Sequence, residues 1–167
     1  MRDLSSKIVQ AAHYCATQGL CRQVALLLDF SRLSQQPRLR VVDLCREEVV
    51  WECLAATGRG RTLCERLCPR MSDRPESWLT PEGRSRVGER YVGEFGTAYR
   101  LDGLDATNAN MRRRAIVLHS SEQVPDRAWA WLPLRCSRGC VVLSPQAFAR
   151  VDALLADHTD VLLWIYR

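Results

Sequence analysis

Residues 114–121 read RAIVLHSS and residues 135–144 read RCSRGCVVLS. The first is dense in branched apolar residues and is predicted to be a strand ending in His119. The second holds Cys136 and Cys140 around Ser137, Arg138 and Gly139. A thiol becomes a useful nucleophile when an imidazole or oriented N–H groups hold it as thiolate. Gly139, just before Cys140, permits a backbone conformation barred to other residues, so that successive amides can converge on a developing oxyanion. His119, carried by a rigid strand, would take or hold the proton. Three other readings stand beside catalysis. Cys136-x3-Cys140 combined with Cys64-x3-Cys68, or with His119 as a third ligand, has zinc-ligand spacing, although the flanks differ from a zinc knuckle. A Cys136–Cys140 disulfide requires the backbone to fold back. With eight cysteines and three histidines in the chain, such a pair also arises by chance.

Outward from this stretch, the order is helix, many strands, helix, strand. Leu4, Ile8, Ala12 and Cys15 recur at helical spacing, with Ser5 and Ser6 at the start and Gly19 at the end. RQVALLLDF (22–30) is a short apolar run. LRVVDL (39–44) and EVVWECLAA (48–56) read as a hairpin. Residues 57–88 are rich in Gly, Arg, Pro and Ser and read as one long functional loop. ERYVGEF and AYRLDGL then alternate around Gly96. Residues 122–139 read as irregular, with WAWLP (129–133) as an aromatic patch. PQAFARVDALLADH (145–158) places Pro145 near a helix start and Phe148, Val151, Leu154 and Leu155 on one face. DVLLWIYR closes the chain as a buried strand. No internal repeat is present.

The length, 167 residues, and 47% apolar content suit one globular domain. No stretch reaches the roughly 18–20 apolar residues of a membrane span, and the N-terminal segment lacks the continuous apolar core of a signal peptide. The formal charge is +5, and Lys7 is the only lysine. The arginines are dispersed, and the run MRRRA (111–115) is too short to indicate nucleic-acid binding. Cys45 and Cys53 fall at apolar positions, where a thiol behaves as a small hydrophobe. His13 and His158 are expected on helix or turn surfaces without a role.

SRGC preceded by a strand ending in histidine resembles the L,D-transpeptidase (YkuD-like) catalytic domains, whose hallmark is His-Gly followed by Ser-x-Gly-Cys. LLLDFSRLSQQPRLRVVDL, VGERYVGEFGTAYRLDGLDATNANMRRRAIVLH, SRGCVVLSPQAF and LLWIYR are similar, in the same order, to blocks of the murein L,D-transpeptidase subfamily. The resemblance implies a mainly β fold, a sandwich or barrel, with an N-terminal helix (1–19), a β-rich core (20–167) and a helix after the cysteine. It implies Cys140 as nucleophile, His119 as base, Ser137 as the motif hydroxyl, and Gly139 with the Cys140 amide as the oxyanion region. The substrate would be a peptidoglycan stem peptide. Its L-centred third residue is acylated onto the thiol as a thioester, its terminal D-residue leaves, and an amine or water resolves the intermediate. No metal or cofactor is implied, and the place of action is the periplasm or cell envelope, reached by a trimmed chain or by a non-standard route.

The chain departs from the family pattern around the nucleophile. Ser120 stands where the hallmark has glycine, narrowing the donor or acceptor path. Cys136 and Arg138 replace an arginine and a tryptophan, and Thr57-Gly58 replaces a His-Gly pair. Ser120 and Arg138 are therefore candidate substrate-binding residues and Cys136 a candidate redox partner of Cys140. The same departures also fit a redirected acyltransferase, a secreted envelope-targeting effector, or a degenerate binding protein.

Overall fold

The computed structural model of the chain describes residues 4–62, 64–65, 70–127 and 133–167. The apolar run VALLLD forms β1 (Val24–Asp29) and the last apolar run forms β10 (Leu162–Tyr166). The two pair in parallel, Ala25 opposite Leu162 through Asp29 opposite Tyr166. Side chains alternate across a strand, so each strand serves two cores. Leu26, Leu28, Leu163 and Ile165 enter the main core; Ala25, Leu27, Leu162 and Tyr166 enter a second one. Helix α1 (Leu4–Gln18) covers that second core with Ile8, Ala11 and Cys15. Gly19 ends the helix at φ +68°, as its position in the sequence predicts.

Around this pair lie β2 (Leu39–Asp43), β3 (Glu48–Cys53), β5 (Gly83–Gly93), β6 (Gly96–Gly103), β7 (Val117–Ser120) and β9 (Val141–Leu143). The eight-stranded order is β3-β2-β1-β10-β5-β6-β7-β9. Helix α2 (Pro145–Asp157) follows, with Ser144 as its N-cap accepting from the Ala147 amide at 3.1 Å and bonded also to the Asp126 carboxylate. It packs Phe148, Val151 and Leu155 onto the main core. The mainly β architecture with an early and a late helix is thus the one expected.

The two edges of this sheet meet. Ala56, just past β3, exchanges both backbone bonds with Val142 of β9, at 2.8 and 2.9 Å. Beside this closure, β4 (Thr57–Gly58) pairs in parallel with β8 (Arg135–Ser137). Leu54, Ala56, Val124 and Val142 form a third, small core under the seam, with Leu134, Cys136 and Cys140 packed against it.

Three readings need correction. Residues 57–88 are not one loop, because β4 opens the segment and residues 83–88 are the first half of β5. That half reads GRSRVG, and its buried face is Gly83, Ser85 and Val87, whose small and polar members hide the apolar alternation. Ser85 is accommodated because its hydroxyl donates to the Leu163 carbonyl at 2.9 Å. Residues 135–137, read as irregular, form β8, too short to show a period. Cys45 is exposed in the β2–β3 turn rather than buried, whereas Cys53 is buried. The aromatic patch WAWLP lies, except for Pro133, outside the described residues, as does Cys68. Among the described residues no helix is long and apolar enough to cross a membrane.

Candidate active site

Strand alternation decides which groups leave the core. In β7, Leu118 points into the main core, and His119, its neighbour, faces the other way. In β9, Val141 and Leu143 enter the main core while Val142 joins the seam. The parallel register puts Leu118 opposite Val141 and His119 opposite Val142, so Cys140, just before β9, shares a face with His119. Both line one cleft of about 540 Å³, together with Cys136, Ser137, Arg138 and Ser120. Every side chain expected at the site is therefore brought together.

The turn into Cys140 is held from several sides. Gly139 has φ +128°, and a Cβ there would lie 3.0 Å from the Leu79 carbonyl oxygen and from Ile116 Cδ1. Ser137 Oγ donates to the Cys140 carbonyl at 2.7 Å and accepts from the Gly139 amide at 3.1 Å. Its hydroxyl is thus spent inside the turn. Thr80, buried, donates to the Gly139 carbonyl and accepts from the Gly58 amide, each at 2.9 Å. Because a trans peptide directs its C=O and N–H to opposite sides, Thr80 turns the Cys140 amide away from itself.

His119 is 5% exposed and stacks on Phe95, with ring centroids 4.5 Å apart at 21°. Phe95 sits in the two-residue turn between β5 and β6. His119 Nδ1 lies 2.8 Å from the Ser120 carbonyl oxygen, which can only accept, so Nδ1 carries the proton and Nε2 keeps the free lone pair. Burial pushes the imidazole below its ordinary pKa, opposed by the bond to Ser120. Burial likewise pushes the Cys140 thiol up, and the Val117 amide and Arg114 only partly offset this. Both shifts favour the neutral forms of the two groups over a thiolate. Cys140 Sγ lies 3.8 Å from the Ala115 carbonyl oxygen, and Ala115 holds φ +51°.

Arg114 is committed to structure. Its guanidinium bonds the Leu79 carbonyl at 2.7 Å, the Ser72 carbonyl at 2.9 Å and the Asp73 carboxylate at 3.3 Å. Arg112 of the same basic run pairs with Glu89 and Asp102. Thr80, Phe95, Arg59 and Trp78 carry no local signal in the sequence. Thr80 and Trp78 lie in the segment read as loop, and Phe95 in a hairpin tip, where no periodicity marks them. Cys136 and Cys140 are both free thiols, and among the described residues no three His, Cys, Asp or Glu side chains converge as metal ligands.

Known proteins share the fold. No curated protein is matched by the sequence. Among solved structures, an L,D-transpeptidase from Xylanimonas cellulosilytica is similar at 19% identity and a TM-score of 0.53, over 92% of this chain and 68% of that one. The helical cell shape determining protein Pgp2 from Campylobacter jejuni is similar at 15% identity and a TM-score of 0.55, over 87% and 48%. A mutant L,D-transpeptidase from Enterococcus faecium is similar at 11% identity and a TM-score of 0.54, over 86% and 50%. The aligned part spans about half the length of the last two proteins, and at these identities the likeness is one of fold. The family description "L,D-transpeptidase catalytic domain" matches residues 2–166, nearly the whole sequence, and the chain belongs to that family of enzymes.

Proposed function

We propose that the chain acts on peptidoglycan stem peptides by cysteine acyl transfer, with residues 1–167 working as one catalytic domain in the cell envelope. The observation that carries this reading is the β7–β9 register, which sets neutral His119 and the Cys140 thiol on one face of one cleft. His119 Nε2 takes the Sγ proton as Sγ attacks the carbonyl of the L-centred third residue. The oxyanion is met by the Cys140 amide, on the turn held by Gly139 and Ser137. Collapse expels the terminal D-residue, whose amine takes the proton from the imidazolium, leaving a Cys140 thioester. An amine from a second stem then attacks the thioester and gives its proton to His119, and Cys140 recovers its hydrogen as the new amide forms. With water as acceptor the outcome is L,D-carboxypeptidase action. Two neutral partners suit this scheme, because the proton moves only as the bond forms. Ser120 lines the cleft and narrows the donor or acceptor path, and Cys136 serves as a thiol able to pair with Cys140 under oxidation.

The test is intact-mass spectrometry of wild type and Cys140→Ala after incubation with a tetrapeptide stem or a carbapenem. An adduct on wild type alone, with release of the terminal D-residue, is expected. An adduct that persists in Cys140→Ala would overturn the assignment.

A further inference from the structure

Three guanidinium groups converge on one indole beside the cleft. Arg138, Arg59 and Arg61 lie 4.8, 5.0 and 5.5 Å from the Trp78 ring centroid. Like charges gathered at one point repel unless an anion completes the cluster. Arg61 has a carboxylate within reach, Glu76 at 3.9 Å. No ion pair holds Arg59 or Arg138 among the described residues, and Arg59 Nε is buried without a hydrogen-bond partner. A buried N–H left unpaired calls for an explanation.

The placement of these side chains is fixed by the backbone. Gly58 of β4 lies opposite Ser137 of β8, and the Arg59 amide donates to the Ser137 carbonyl at 3.0 Å. Arg59 and Arg138 therefore leave neighbouring strands at the same level, and both line the Cys140 cleft. Trp78 holds φ +57°, a conformation that a bulky residue adopts at a cost. It is kept there by the Gly60 amide, which donates to its carbonyl at 3.0 Å. Gly58 packs so closely that a Cβ would come within 2.4 Å of that carbonyl oxygen. The strain buys a fixed aromatic platform for two cations. Of the other charged cleft residues, Arg114 is spent on Asp73 and on carbonyls, and Glu94 is acidic.

We propose that Arg59 and Arg138, stacked on Trp78, form a subsite for the free α-carboxylate of the acyl donor's terminal residue. The inference rests on the reading of Cys140 as the acylated thiol. A donor that loses a single terminal residue carries its α-carboxylate one residue beyond the scissile bond, and Arg138 stands two residues before Cys140 on the same turn. A guanidinium fork matches a carboxylate in bidentate geometry. The subsite makes the enzyme selective for chain ends that are free acids, and it assigns a substrate role to Arg138, a departure from the family pattern.

Binding separates this inference from the chemistry. Calorimetry on Cys140→Ala protein compares the tetrapeptide L-Ala-γ-D-Glu-L-Lys-D-Ala with the same peptide as its C-terminal carboxamide. The free acid is expected to bind at least about tenfold more tightly. That preference should vanish when Arg138→Gln or Arg59→Gln is added, with Arg138→Lys keeping part of it. Equal affinities, no binding of either peptide, or a preference that survives both glutamine variants would overturn the subsite. If wild type is still acylated in those cases, the proposed chemistry stands without it; acid-selective binding with no acylation of wild type would leave the subsite and sink the chemistry.

Discussion

Two parallel strand pairs lie in the same sheet and are put to opposite uses. In β1–β10 both faces are covered, by α1 on one side and the main core on the other, as parallel pairs usually require. In β7–β9 the main core covers one face, while the other is shared between the small seam core at Val142 and the cleft, where His119 and Cys140 stand. The first pair spends its side chains on burial, at roughly 2 kcal/mol for each fully buried leucine. The second gives up part of the apolar burial on one face and gains two ionisable groups in a desolvated place. Stability and reactivity thus divide along the sheet, and substitutions should separate them.

The largest effect is expected at the open pair. Cys140→Ala should lower acyl transfer by about 10⁴-fold or more, read as release of the terminal residue. Its thermal midpoint should stay near that of wild type, and a large fall would break the division. Leu163→Ala in the covered pair should do the reverse, costing about 3 kcal/mol in urea unfolding. The folded fraction should keep wild-type turnover per active site. Thr80→Val lies between the two, because it strips hydrogen bonds from both Gly58 and Gly139. An acylation rate about tenfold lower, with a smaller loss of stability, would show that Thr80 sets the turn rather than the fold.

Smaller effects sharpen the electrostatic side of the contrast. Alkylation of Cys140 by iodoacetamide, followed peptide by peptide, should rise with pH and still be rising above the ordinary thiol range. The sign follows from burial, which disfavours the thiolate and so moves half-ionisation upward. A Cys140 that alkylates fully at pH 6 would contradict the neutral resting pair. Phe95→Ala uncovers one face of His119, so its pKa, read by NMR titration, should move up toward the ordinary value. For the same reason wild-type stability should be full above the unfolded-state pKa of about 6.5 and fall as pH drops through the lower folded value. Treatment with peroxide should join Cys136 to Cys140, the two thiols losing one hydrogen each as peroxide is reduced to water. Two free thiols after that treatment would remove Cys136 from the site.

Legibility in the sequence follows the same division. VALLLD and LLWIY announce covered strands through unbroken apolar runs, and PQAFARVDALLAD announces its helix through spacing and the Ser144-Pro145 start. His119 stood out as the end of such a run and Gly139-Cys140 as a glycine before a thiol, a pattern that zinc, disulfide and chance readings shared until the family resemblance was added. The first half of β5 was not readable, since Gly83 and Ser85 face inward through backbone fit and a hydrogen bond rather than hydrophobicity. Trp78 and Thr80 act across long sequence distances, on Arg138 and Gly139, and no local pattern encodes that. Arg138 drew attention as a departure from the family pattern, and its stacking on Trp78 became visible only in three dimensions.

The bond between Ala56 and Val142 has a consequence for the order of events during folding. It joins residues far apart in the chain, so its loop-closure entropy is met only after the intervening strands have paired. The cleft borders that bridge, since Val142 lines it, and the turn that presents Cys140 leads directly into β9. A chain in which that bridge has not closed lacks the seam that borders the cleft. On the proposed chemistry, reactivity then comes late in assembly, and an incomplete molecule lacks the cleft in which to acylate itself on a passing peptide.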